Sequence, residues 1–463
     1  MSEIQLFNTL GREKQIFKPV KKGQVNLYSC GPTVYWFAHI GNFRSYLFAD
    51  VLKRVLMYNG LKVNHVMNIT DVGHLTSDGD EGEDKMIKAL RREGKEITVS
   101  SVKQVAGKYE DAFLKDMKSL NILKPNKLPH ASGYVKDMIK FVQKMEKNGF
   151  AYKTKVGMTF DTGKFDKYAE LGKLNLEQLK EGATGKKDSD RRNASDFALW
   201  ITNQPKHIMQ WESPWGKGFP GWHLECSVLS TKFLKQIDIH TGGIDHIPIH
   251  HSNEVAQNFG ATGKKCVNYW MHNDFLLLNK GKMAKSGGEI LTLEKLLEKG
   301  YDPLVYRYFF LSAHYRSQQN FTWESLDGAR NAFERLKNLV LELKERKDSN
   351  GDVGEYSKKF LQKVNDDLNT PEALAVLWEV LRSKGLGSKQ KLKLILEFDK
   401  VFGLGFKELK KEKVPKEIME LVKQREVARG KKDFETSDKI RDELKKKGWV
   451  VEDGESGARV KPI

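Results

Sequence analysis

Between Val25 and Ile69 the sequence reads strand, helix, strand, and that order restricts the fold more than any other feature. Val25 to Cys30 is a short, largely apolar run closed by Gly31-Pro32, a pair that interrupts regular structure. From Asn42 onward Leu47, Phe48, Val51, Leu52, Val55 and Leu56 recur at helical spacing, and Asn59-Gly60 supplies a stop. Lys62 to Ile69 then reads as another strand. Two strands joined through a helix form a βαβ unit, which implies a parallel sheet.

The 463 residues exceed what one core organises, so two to four domains are expected. No apolar run approaches the roughly 18 residues that span a bilayer. Met1 to Lys14 also lacks the basic-then-apolar order of a secretory signal, so a cytoplasmic protein without membrane contact is expected. The cysteines are Cys30, Cys226 and Cys266, an odd and sparse set that argues for thiols or metal ligands over a disulfide framework. Lys and Arg total 79 against 61 Asp and Glu, a formal charge of +18. That excess suits an anionic partner such as nucleic acid, although a lysine-rich surface serving solubility accounts for it equally.

Three places carry chemistry. In His39-Ile40-Gly41-Asn42, between the first strand and its helix, the glycine admits phosphate to the backbone and the helix start offers unpaired N–H groups. In Lys282-Met283-Ala284-Lys285-Ser286, followed by two glycines, the lysines can neutralise charge on a triphosphate. The third is dispersed: Cys30, Cys226, and the His250/Glu254 pair spaced four apart, so that both lie on one helical face. Two thiolates, an imidazole and a carboxylate suit a tetrahedral zinc shell. The spacing is nevertheless not the compact kind, and packing cysteines are the ordinary reading of such residues. His251 and His223 are close enough in sequence to be rival ligands. The Gly- and acid-rich segment Asp71 to Asp84 lacks the spacing of a calcium loop and reads as a solvated loop beside the nucleotide site. Gly182 to Ala194 reads as an exposed polar loop.

Cys30-Gly31-Pro32-Thr33-Val34-Tyr35 running into His39-Ile40-Gly41, followed by Asn68-Ile69-Thr70-Asp71, resembles the start of cysteinyl-tRNA synthetases. Gly221 to Cys226, Asp238-Ile239-His240, Gly242 to Asp245, Lys282 to Ser286 and His314 to Ser317 match that family in order and spacing, and Arg425 to Gly448 does so more loosely. The resemblance implies an α/β protein: a Rossmann-type parallel-sheet core of class I, split by an insertion and followed by all-α tRNA-binding domains. It places the first half of the core at 1–120, the insertion at 121–220 and the second half at 221–290. A stem-contact region follows at 291–350, with the lysine loop at its start, then a helical bundle at 351–412 and an anticodon-binding region at 413–463.

By the same resemblance Cys30, Cys226, His250 and Glu254 hold one zinc ion per chain, which selects the thiolate of L-cysteine over serine's hydroxyl. Thr70, Trp222, His223, His240 and Asp245 surround the bound cysteine. His39, Gly41, Asn42, Lys282 and Lys285 serve ATP, with magnesium, and the transition state. Arg429, Phe434, Asp438 and Asp453 occupy the anticodon-reading region of a monomer that charges tRNA(Cys). On residue chemistry, Arg425, Arg429, Lys431 and Lys432 can meet phosphates and Phe434 can stack on an unpaired base. The sequence departs from the family's His-Ile-Gly-His at Asn42, which cannot carry a charge, and from Lys-Met-Ser-Lys-Ser at Ala284. A ligase joining cysteine to an amino-sugar, or an inactive nucleic-acid-binding paralogue, are the alternative readings.

Overall fold

The computed structural model describes residues 3–73, 84–173, 190–278, 281–282, 290–411, 414–454 and 457–462. The chain divides into two compact units, Met1–Lys407 and Glu408–Ile463.

The first unit is organised by a parallel sheet. Strand β1 (Gln24–Ser29) is followed by helix α1 (Ile40–Tyr58) and strand β2 (Lys62–Met67), within a residue or two of the predicted bounds. Asn59 is the C-cap of α1, and Gly60 adopts φ +81°, the left-handed conformation a glycine supplies without strain. Two further strands, β3 (Ile237–Gly243) and β4 (Val267–Asn273), complete the order β4-β3-β1-β2, every pair parallel. Such a sheet is buried on both faces, so its strands need not alternate: all seven residues of β3 are buried. Between β2 and β3 lies a second sheet, antiparallel, in which Ala151–Thr154, Gly157–Phe160, Phe197–Thr202 and Gly218–Pro220 pair in sequence order. Its core residues Phe160, Leu199 and Trp200 join Met138 and Val142 of the helix Val135–Lys147. The same core takes in Leu224 and Val228 of helix α2 (Trp222–Leu234) and Ala256 of helix α3 (Ser252–Thr262). The inserted sheet and the helices that carry the site are therefore packed as one body.

Helices Pro303–Leu311, Trp323–Glu345, Gly354–Asn365, Thr370–Arg382 and Ser388–Phe402 form the C-terminal part of this unit. They are tied to α1 by a buried ion network: Asp50 accepts from Arg54 at 2.8 Å and from Arg307, while Arg307 also donates to the carbonyls of Leu120, Asn121 and Phe402. The second unit packs helices Lys416–Gly430 and Phe434–Lys446 through Ile418, Val422, Ile440 and Leu444. To the expected helices it adds an antiparallel hairpin, Trp449–Gly454 with Gly457–Pro462, whose Val451 enters that core. No helix of the described residues is long and apolar enough to cross a membrane.

Candidate active site and metal centre

The C-terminal ends of β1 and β3 open into a cleft of about 610 Å³, the place where open α/β sheets bind ligands. Close backbone packing shapes its floor. A Cβ on Gly31 would sit 1.7 Å from the carbonyl oxygen of Asn68, and one on Gly242 would sit 2.5 Å from the His251 ring. The Gly31 N–H donates to Asn68 Oδ1 at 2.9 Å, Asn68 donates to the Thr70 hydroxyl at 3.0 Å, and Thr70 donates to Glu225 at 2.7 Å. Thr70 thus lines the cleft from within a buried polar network that fixes its side chain.

At the other wall His39 is the N-cap of α1. Its Nδ1 accepts the Asn42 N–H at 3.0 Å while Asn42 Oδ1 accepts the His39 N–H at 3.1 Å, a reciprocal capping box. Because Nδ1 is an acceptor, the neutral ring carries its proton on Nε2. Asn42 stands where the family signature has histidine, and a capping role needs only its amide oxygen. His39, Gly41 and Asn42 all line the cleft.

The dispersed ligand set converges. Cys30, Cys226, His250 and Glu254 present donor atoms within 4.8 Å of one another, brought from the end of β1, from α2, from the π-helical turn Ile247–His251 and from α3. The wider π turn sets two adjacent histidines and Glu254 around one point, an irregularity frequent at functional sites. Cys30 Sγ lies 3.8 Å from Cys226 Sγ, and His250 Nε2 lies 3.1 Å from a Glu254 oxygen. Yet neither carboxylate oxygen of Glu254, which is wholly buried, accepts a hydrogen bond. Short distances without hydrogen-bond alignment are what groups converging on a common centre produce. Burial raises the Cys30 thiol and the Glu254 carboxyl, and Cys226 is raised by its contact with Cys30 and then by burial. A divalent cation is the counter-charge that makes two thiolates and a carboxylate compatible with such burial, so these donors fit zinc.

A second set, Cys30, His240, His251 and Glu254, lies within the same 4.8 Å limit. His251 Nε2 is 3.2 Å from Cys30 Sγ, and its Nδ1 pairs with His272, which pairs with Thr9. His240 stacks on Trp270 with ring centroids 4.6 Å apart. Neither His240 nor His251 lines the cleft, whereas Cys30, Cys226 and His250 do. His223 belongs to neither set: it is buried behind His250, the two Nδ1 atoms 3.0 Å apart. Of the residues expected around the amino acid, Thr70, Trp222 and Asp245 therefore face the cleft, and His223 and His240 stand behind it. Lys285 lies outside the described residues, as does the side chain of Lys282, whose backbone pairs with Leu277. Most of the Asp71–Asp84 and Gly182–Ala194 segments likewise lies outside the described residues. Among the cleft residues that were not anticipated are His246 and Lys85. The His246 signal was available in Gly242 to His251, which sets histidines at 246, 250 and 251 after a glycine pair.

In the second unit Phe434 is 63% exposed at the start of its helix, and Asp438 faces solvent 3.7 Å from Arg441. Arg429 lies in the last turn of Lys416–Gly430, and the side chain of Asp453 is outside the described residues. Arg425 does not join the basic face expected of it. Its side chain is buried, because its position on the helix falls on the stripe of Ile418 and Val422.

A parallel sheet with a nucleotide-type cleft at its carboxyl ends and a capped His-Ile-Gly helix start defines a class I aminoacyl-tRNA synthetase catalytic domain. Residues 16–331 match the family model of the tRNA synthetases class I (C) catalytic domain. Residues 359–407 match the DALR domain, and 411–460 the cysteinyl-tRNA ligase anticodon binding domain. Cysteine–tRNA ligase from Treponema denticola is 42% identical, covering 97% of this chain and 98% of the relative. Cysteine–tRNA ligase 1 from Burkholderia lata is 45% identical, over 99% and 96%. The chain belongs to the cysteine–tRNA ligase family. Mycobacterium tuberculosis methionyl-tRNA synthetase, solved with methionyl-adenylate, shares the fold at TM-score 0.58 and 13% identity, over 82% of this chain and 90% of that one.

Proposed function

We propose that the chain joins L-cysteine to tRNA(Cys) in two steps at this cleft. A carboxylate oxygen of cysteine attacks the α-phosphorus of ATP, a P–O bond to the β-phosphate breaks, and pyrophosphate leaves. A ribose hydroxyl of the tRNA terminus then attacks the carbonyl carbon of the cysteinyl-adenylate, and AMP leaves. The first step needs no general base because the carboxylate is already ionised, so the protein's task is positioning and charge neutralisation. His39 presents its Nε2–H, the α1 N-terminus and Gly41 admit phosphate, and Lys282 and Lys285 meet the polyphosphate together with magnesium.

Zinc held by Cys30, Cys226, His250 and Glu254 supplies a Lewis acid that prefers a thiolate to a hydroxyl. Shape alone separates side chains differing so little by only about two orders of magnitude. The observation that carries the reading is Glu254: a buried carboxylate with no hydrogen bond, among two thiols and an imidazole, three of these donors belonging to residues that face the cleft. The test is attachment of radiolabelled cysteine to total tRNA by the zinc-loaded chain, with serine as control. Cysteine-specific charging is expected. Cysteine-dependent pyrophosphate exchange without transfer to tRNA would move the acceptor to a small molecule, and absence of both would sink the reading.

A further inference from the structure

Lys85 was not anticipated from the sequence and has no part in the mechanism above. It is the first residue of the helix Lys85–Arg92, and its side chain lines the cleft with its ammonium 5.3 Å from the centroid of the Trp222 ring. That distance is within cation–π range, so the ring helps hold the ammonium. Among the described residues lining the cleft, Lys85 is the only lysine or arginine.

Its backbone is anchored with unusual care. Asp84, buried, caps the helix by accepting the Met86 N–H at 2.7 Å. A Cβ on Gly73 would fall 2.4 Å from an Asp84 carboxylate oxygen, so the two segments meet with no space between them. His207 reaches across from the inserted region. Its Nε2 lies 2.8 Å from the Gly73 carbonyl oxygen and 3.4 Å from Asp84, while its ring stacks on Phe219 at 3.5 Å. The position of Lys85 is thus set by the inserted sheet rather than by the helix alone.

Amino-acid activation places a carboxylate in this cleft, and around it the cleft offers three kinds of chemistry. The thiols of Cys30 and Cys226 line it, the carboxylate of Asp245 suits an ammonium, and Lys85 is a cation held beside Trp222. We propose that Lys85 is a substrate-binding residue that holds the α-carboxylate of the amino acid against Trp222 and orients its oxygen for attack. The inference rests on the reading of cysteine as substrate. With sulfur, ammonium and carboxylate each assigned a partner of its own, three points are fixed, which is the minimum that distinguishes one enantiomer from the other.

The test is a binding cycle on the full-length, zinc-loaded chain, using cysteine and cysteamine, which has the same thiol and amine but no carboxylate. A charge-assisted hydrogen bond contributes about 1.5–3 kcal/mol, so wild type is expected to favour cysteine over cysteamine by about 10- to 100-fold on this account. Lys85→Gln should collapse that preference by weakening cysteine alone, and Lys85→Arg should restore most of it. Unchanged ATP binding in both variants shows that the cleft is intact. Retention of the full preference in Lys85→Gln would overturn the inference, as would weakened ATP binding with the preference kept, which would assign the cation to phosphate. Failure of wild type to bind cysteine at all would overturn the substrate reading and this inference together.

Discussion

Two of the buried polar clusters in the first unit, those around Asp50 and Glu254, are finished to different degrees. Around Asp50 everything is paired: the carboxylate accepts from Arg54, Arg307 and the Leu123 N–H, and Arg307 spends its remaining donors on three carbonyls. Its arginines hold the Asp50 carboxyl below its ordinary range despite burial. Around Glu254 the count does not close: both carboxylate oxygens and His240 Nδ1 lack hydrogen bonds, and burial drives the carboxyl up. A buried charge is tolerable only when paired and fully hydrogen-bonded. The first cluster meets that rule with protein groups alone; the second leaves its carboxylate without hydrogen bonds, which is what the proposed cation would complete.

The sharpest way to break this contrast is to remove one member of each. Cys226→Ala should abolish tight zinc binding, taking metal content from about one per chain toward zero, and with it cysteine-dependent exchange, while the fold survives. Arg307→Ala should do the reverse. It strands Asp50 as an uncompensated buried charge, at a cost of about 3–5 kcal/mol read as a lower urea midpoint, with zinc content per folded chain unchanged. Metal analysis and denaturation of both variants decide the matter. Equal loss of zinc in the two would mean that the clusters are not separable.

The same contrast explains what could be read in the sequence. The βαβ unit was legible because strand, helix and stop signals act locally, through Leu47, Phe48 and Asn59-Gly60. Cys30 and Cys226, 196 positions apart, carry no local signal. They became a ligand set only through family resemblance, and the fold then brought their donors together. Membership of the second candidate set is a matter of angstroms, since His250 and His251 are adjacent in sequence and a π turn lets both approach Cys30 and Glu254. Lys85 was illegible for another reason: a lysine in a lysine-rich chain has no pattern, and its place depends on Asp84, Gly73 and His207 meeting across the fold. Arg425 shows the converse failure, a basic residue read as surface that the helix turns inward.

His65 stands between the two extremes and gives a smaller, pH-dependent test. Its Nε2 pairs with Ser29 at 3.0 Å, but its buried Nδ1 has no hydrogen-bond partner. Burial, reinforced by the charge of Lys53 and opposed by Asp50, pushes its pKa down to about 3. An unfolded histidine titrates near 6.5, so below that pH the unfolded chain binds the extra proton and the folded one does not. Stability present above pH 6.5 is therefore lost on acidification, by about 2 kcal/mol at pH 5 from this residue alone. Comparing urea denaturation of wild type and His65→Asn at pH 7.5 and pH 5 isolates the effect. The variant should lose less on acidification, and identical pH dependence would show that His65 is already charged or not fully buried.

The smallest effect concerns Asn42, which lines the cleft at a signature position and is also engaged in a helix cap. Its amide oxygen is committed to the His39 N–H, and its own N–H to the His39 ring, so its service to α1 is that of a cap. Asn42→Ala should then cost about 1 kcal/mol, the ordinary worth of a capping side chain. Asn42→Asp keeps the acceptor and adds a charge that the helix N-terminus favours, so it should hold stability near wild type. The same aspartate sets a negative charge beside the region proposed for ATP, so its pyrophosphate exchange should fall even as its stability is kept. Stability and activity would thereby come apart at one residue. If Asn42→Ala instead left stability untouched and removed exchange, Asn42 would serve the cleft it lines and not the cap.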